Sequence, residues 1–113
     1  MSADATTRLL ELASHAVDLT DPTRLRALLA EGHPLYCQAL ADVRTHLLAQ
    51  AAHLTDEELA ARCTHAGSAW EPGTSREDAL IDLLFAVFES TPACIAYVAL
   101  AERAHQHHTG LID

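Results

Sequence analysis

The segment GHPLYCQALADVRTHLLAQAAHLT, residues 32–55, decides the fold. Tyr36, Leu40, Val43, Leu47, Ala51 and Leu54 recur at steps of three and four, the period of one face of an α-helix. Pro34 stands where a first turn would be, the one helical position at which its missing N–H costs little. This stretch therefore predicts a long amphipathic helix over about 34–54, the spine against which shorter helices pack.

Working outward, the segments on both sides read the same way. Leu9, Leu12, Ala13, Ala16 and Leu19 predict a helix over 4–18. Asp21 before Pro22 is an N-cap followed by proline at the first helical position, which predicts a short helix that presents Leu25, Leu28 and Leu29 and stops at Gly32. Thr55 with Glu58 three residues on is a capping box, and Gly67 fits the C′ position of the helix it opens. The longest interruption, GSAWEPGT, precedes a helix capped by Thr74 or Ser75 and running to about Glu89. Thr91 before Pro92 opens a last helix through about His108, closed by Gly110. Ala and Leu dominate, β-branched residues are scarce, and no repeat or Gly/Ser linker interrupts the chain. The expectation is an all-α fold: a small, single-domain, antiparallel helical bundle of about five helices over residues 1–113.

Composition restricts function more than it assigns it. Half of the 113 residues are hydrophobic, enough for one core. Sixteen acids against seven bases, all seven of them arginine, give a formal net charge of −9. A nucleic-acid footprint needs clustered cations, so no nucleic-acid partner is expected. Without lysine there is neither a Schiff-base nor a phosphate-loop lysine. Cys37, Cys63 and Cys94 are far apart and odd in number, so reduced thiols are expected rather than a disulfide framework or a thiolate zinc clip. The start carries no basic region followed by an apolar stretch, and ALIDLLFAVF is far shorter than the ~20 residues that span a bilayer. A soluble cytoplasmic protein without a membrane partner is the resulting expectation.

The stretch DPTRLRALLAEG, residues 21–32, resembles the helix that precedes the recognition helix in the arsenical-repressor family of winged-helix regulators. That family would require a Ser/Thr-rich recognition helix and a two-stranded wing next. One long Ala/Leu helix follows instead, and no function is carried over.

Few residue constellations suggest chemistry. ERAHQHHTG, residues 102–110, places His105 and His108 on one helical face, a metal pair or a polar helix end whose histidines complement the C-terminal dipole. His33 and Cys37 have the i, i+4 spacing of a ligand pair, but a helix starting at Pro34 would leave His33 outside the regular turns. His46 and His53 share a shoulder of the long helix. Trp70 sits in the longest loop, as a plug or a recognition side chain. Asp78, Asp82 and Glu89 form a wet stripe with Ser75 on an otherwise apolar helix, which needs cover on both flanks from this chain or from a second copy.

Two functional readings follow. The first is a small acidic binding or accessory protein that self-associates, expected as a homodimer, and offers its acidic surface to a basic protein partner. Full protonation of its eight histidines would move the formal charge from −9 to −1, so its association should respond between about pH 7 and pH 5. The second is a small-molecule- or metal-binding bundle, compact enzymes included, with a pocket between the long and last helices lined by His46, His53, Cys94, Tyr97 and His105. No cofactor is implied by either reading.

Overall fold

The computed structural model describes the backbone of residues 2–112 and the side chains of residues 4–106. Among the described residues there are five helices and no strand: α1 Ser2–Ala16, α2 Pro22–Ala51, α3 Asp56–Ala66, α4 Arg76–Glu89 and α5 Pro92–Ile112. The all-α reading holds, as do most helix starts. Asp21 Oδ1 accepts from the Thr23 amide at 3.0 Å, Ser75 Oγ from the Asp78 amide at 3.1 Å, and Thr91 Oγ1 from the Cys94 amide at 3.3 Å. The Thr55–Glu58 capping box forms in both directions, and Gly67 ends α3 with a left-handed φ of 89°.

Two boundaries are corrected. The short helix expected to stop at Gly32 and the long one expected to start at Pro34 are a single 30-residue helix, α2. Gly32 does not take a positive φ. A Cβ placed there would lie 3.3 Å from Leu100 Cδ2 and 3.4 Å from Leu9 Cδ2, so this glycine admits neighbouring side chains instead of ending the helix. Pro34 gives up one backbone bond, and the burial of Leu25 before it and Ala39 after it holds the helix on both sides. At the other end of the chain, α5 also continues through Gly110, where a stop was expected.

The chain divides into two compact units. The first comprises residues up to Leu40 together with those from Thr91 onward, where α1 packs on α5. Ala5, Leu9, Leu12 and Ala16 form the buried stripe of α1, and Ala93, Ala96, Leu100 and Ala104 that of α5. The alanines keep the facing stripes thin while Leu9, Leu12, Leu25 and Leu100 fill the space between. Each such leucine gains roughly 1.5–3 kcal/mol from leaving water. Arg103 secures the end of α1: its Nε donates to the Ala16 carbonyl at 3.2 Å, and its Nη2 to those of Val17 and Leu19 at 3.1 and 2.9 Å.

The second unit comprises Ala41–Ser90: the last turns of α2, then α3 and α4. Its core is Leu47, Ala51, Leu59, Cys63, Ala79, Leu83, Leu84 and Phe88. Here Arg76 does for α2 what Arg103 does for α1, donating through Nη2 to the carbonyls of Ala51 and Leu54 at 2.8 and 2.9 Å and pairing with Asp56.

Candidate functional site

In the second unit the last turns of α2 and the outer side of α4 border an open groove of about 310 Å³. Its floor and walls are Leu47, Leu48, Leu80, Ile81 and Leu84, and its charged edges are Arg44 and Glu77. The helical period explains how it arises. On α4, Ala79, Leu83 and Phe88 point into the core, while Ile81 and Phe85, four residues apart, repeat on a face the core does not reach. Ile81 is 50% exposed, Phe85 47% and Leu48 42%, each an apolar side chain still largely in water. The charged stripe foreseen on this helix is present, since Asp78, Asp82 and Glu89 are all exposed. Within the second unit, Ile81 and Phe85 are left half-exposed by the described residues.

The first unit holds a second constellation, packed rather than open. The rings of Tyr36 on α2 and Tyr97 on α5 stack with centroids 4.5 Å apart and planes tilted by 33°, and His33 lies 6.3 Å from the Tyr97 ring. Because α2 runs unbroken through Pro34, His33 is inside regular turns, and its Nε2 comes within 3.9 Å of Cys37 Sγ. This corrects the expectation that the two would not converge. Burial raises the Tyr36 phenol above its ordinary value, with further contributions from Cys94, Tyr97 and Cys37; burial and then Cys37 raise that of Tyr97. The two phenols, held neutral to higher pH by burial, form an aromatic contact beside thiols.

The residues singled out from the sequence are distributed between the two units. Cys94, buried, and Tyr97, half-buried, come together with Tyr36 and Cys37. His105 is exposed on α5, and His108 lies outside the described side chains. His46 and His53 belong to the second unit and are both exposed. His46 ends a surface relay in which Arg62 donates to Gln50 Oε1 at 3.0 Å and Gln50 Nε2 lies 3.1 Å from His46 Nε2. Trp70 is half-buried and folds back onto its own loop, its indole N–H donating to the Thr74 carbonyl at 2.8 Å. Among the described residues, no three histidine, cysteine or acidic side chains converge as a metal site would require. No single helix there is long and apolar enough to cross a membrane.

Sequence reasoning missed Arg44, Leu48 and Glu77 as the groove's margin. The signal was available in part: Arg44 and Leu48 are four apart on the long helix, just off its core face. That α4 would meet this flank is a tertiary fact with no local signature. Comparison of the chain with protein-family models, with curated proteins and with solved structures finds no match.

Proposed function

We propose that this is a non-catalytic helical protein that works by protein–protein association, self-association included, through the apolar groove of its second unit. One observation carries the reading: Leu48 and Ile81, exposed by 42% and 50%, line a single concave surface, and Phe85, 47% exposed, stands one helical turn beyond Ile81 on α4. Scattered apolar side chains on a surface are ordinary, but clustered ones around a groove mark a surface that gains free energy when covered. Completing the burial of three such side chains is worth roughly 25 cal/mol for each Å² removed from water. The net charge of −9 makes most of the remaining surface a match for a basic protein and a poor one for nucleic acid.

The test is sedimentation velocity over a range of protein concentrations, with wild type beside Ile81→Glu. Wild type should sediment as a concentration-dependent mixture of monomer and dimer. The variant, whose substitution touches a half-exposed position, should keep its helical circular dichroism and remain monomeric. Lowering the pH from 7 to 5 weakens the mutual repulsion of two acidic copies as histidines protonate, so the same wild-type curve should shift toward dimer. A wild type that stays monomeric throughout, or a variant that associates as well as wild type, refutes the reading.

A further inference from the structure

We infer that the occupant of the groove is a second copy of this chain, docked about a two-fold axis that sets Arg44 of each protomer against Glu77 of the partner subunit. The inference rests on the association reading above and specifies its partner and register. Neither Arg44 nor Glu77 is engaged by another described side chain, although both stand at the edge of the apolar surface. Four of the other six arginines are spent within the fold, Arg8 on Glu11 and Glu31, Arg62 on Gln50, Arg76 on Asp56 and two carbonyls, Arg103 on three carbonyls, while Arg24 and Arg26 belong to the first unit and do not line the groove. Among the described residues, Arg44 is the cation on one wall of the groove and Glu77 the anion on the other, neither with a side-chain partner.

That arrangement is self-complementary. A two-fold rotation brings the cation of one wall onto the anion of the other twice over, and the same patch meets itself, as an isologous interface requires. Over most of its surface a chain of charge −9 repels its own copy. The groove is where a large apolar area is rimmed by charges that cancel. A basic partner would find no surplus of acid at this rim, and an acidic one no surplus of base. The stripe of Asp78, Asp82 and Glu89 also sets the register. By helical periodicity it lies beyond Phe85, on the side of α4 away from Leu80 and Leu84. A dimer centred on Phe85 would press six carboxylates together, whereas one centred on the Arg44–Glu77 side leaves them outside the contact, in water.

The experiment uses two charge reversals in the full chain, Arg44→Glu and Glu77→Arg, each checked for wild-type helicity. Each alone places like charges at both crossings and should raise the dimer dissociation constant roughly tenfold or more. Mixed in equal amounts, the two variants should form a heterodimer of near wild-type affinity, because position 44 of one again meets an opposite charge at position 77 of the other at both crossings. Within either variant the two positions carry like charges, so recovery on mixing can come only from contacts between chains. If the variants dimerise as wild type does, or stay monomeric when mixed, the proposed pairing is wrong. If Ile81→Glu still abolishes association in that case, the groove reading survives and only the register falls. A wild type that never self-associates overturns both.

Discussion

Gly32 and Gly67 each follow a Leu-Thr-Asp triplet, Leu19–Thr20–Asp21 in one case and Leu54–Thr55–Asp56 in the other, and each closes a helical pattern in the sequence. Their roles are opposite. Gly67 takes φ 89°, ends α3, and has nothing within 4 Å of where a Cβ would be. Gly32 keeps a helical backbone in the middle of α2, with Leu100, Leu9 and Tyr97 all within 3.5 Å of that same point. Glycine has two uses, freedom at positive φ and absence of bulk, and these two positions separate them. The first unit uses a glycine to bring helices together, and the second uses one to stop a helix.

Substitution by size breaks this comparison most forcefully. Gly32→Leu forces a branched side chain into the contact between Leu9, Leu100 and Tyr97 and should cost about 3 kcal/mol in chemical denaturation. Gly32→Ala meets only flexible side-chain ends and gains helix propensity, so it should stay within about 1 kcal/mol of wild type. At Gly67 size should not matter: alanine and leucine should each cost about 1–2 kcal/mol, the penalty of a left-handed backbone. A cost at position 67 that grows with side-chain volume, or a Gly32→Leu variant as stable as wild type, would show that the two glycines have been assigned the wrong roles.

The same contrast explains what could be read in advance. Helix starts were legible because their signals are local: Asp21, Thr55, Ser75 and Thr91 each bond to an amide two or three residues on. The stop at Gly67 was legible for the same reason. Gly32 was misread because its meaning lies in Leu9 and Leu100, far away in the chain. The groove was half legible. Its apolar face on α4 and its need for cover could be inferred from the pattern of Ile81 and Phe85 against Asp78 and Asp82, but the opposing wall at Arg44 and Leu48 depends on how α2 and α4 meet. Tyr36 was legible on the apolar face of the long helix and Tyr97 as a residue of the last helix turned toward it, but their stacking depends on the unbroken course of α2 through Pro34.

The two arginine clamps come next in expected effect. Neither α1 nor α2 ends on a glycine, and in each the last carbonyls are taken by a guanidinium from another helix, Arg103 for α1 and Arg76 for α2. Hydrogen bonds from charged donors are worth roughly 1.5–3 kcal/mol where water is partly excluded. Arg103→Met should therefore cost about 2 kcal/mol. Arg76, whose side chain is 35% exposed and whose partner Asp56 is 76% exposed, should cost about 1 kcal/mol, since solvent screens the ion pair. Lysine should restore less than half of either loss, because one ammonium cannot reproduce the planar fork that reaches two carbonyls at once. Full rescue by lysine would mean that charge near the helix end, not bidentate geometry, is what these positions supply.

The smallest effects distinguish the units by pH, and the signs are opposite. In the first unit, burial raises the phenol pKa values of Tyr36 and Tyr97, so the folded state holds those protons more tightly than the unfolded chain does. That stabilisation is complete below the ordinary phenol value of about 10 and is lost as the pH rises through the folded-state values. In the second unit, Glu58 is held below its ordinary value by the Thr55 amide, which donates to its carboxylate at 2.9 Å, and then by the Thr55 side chain. Its contribution is present above the unfolded carboxylate value and disappears as the pH falls through the lower folded one. Phenolate absorbance in the native protein should therefore lag behind that of the unfolded chain on alkaline titration. The Glu58 side-chain carboxyl carbon, followed by NMR, should titrate late on the acid side, and Thr55→Ala should return it toward ordinary behaviour while weakening α3 by about 1 kcal/mol. Should the phenols titrate together with the unfolded chain, the Tyr36–Tyr97 stack is open to water, and the packed unit would resemble the open one more closely than its ring contacts indicate.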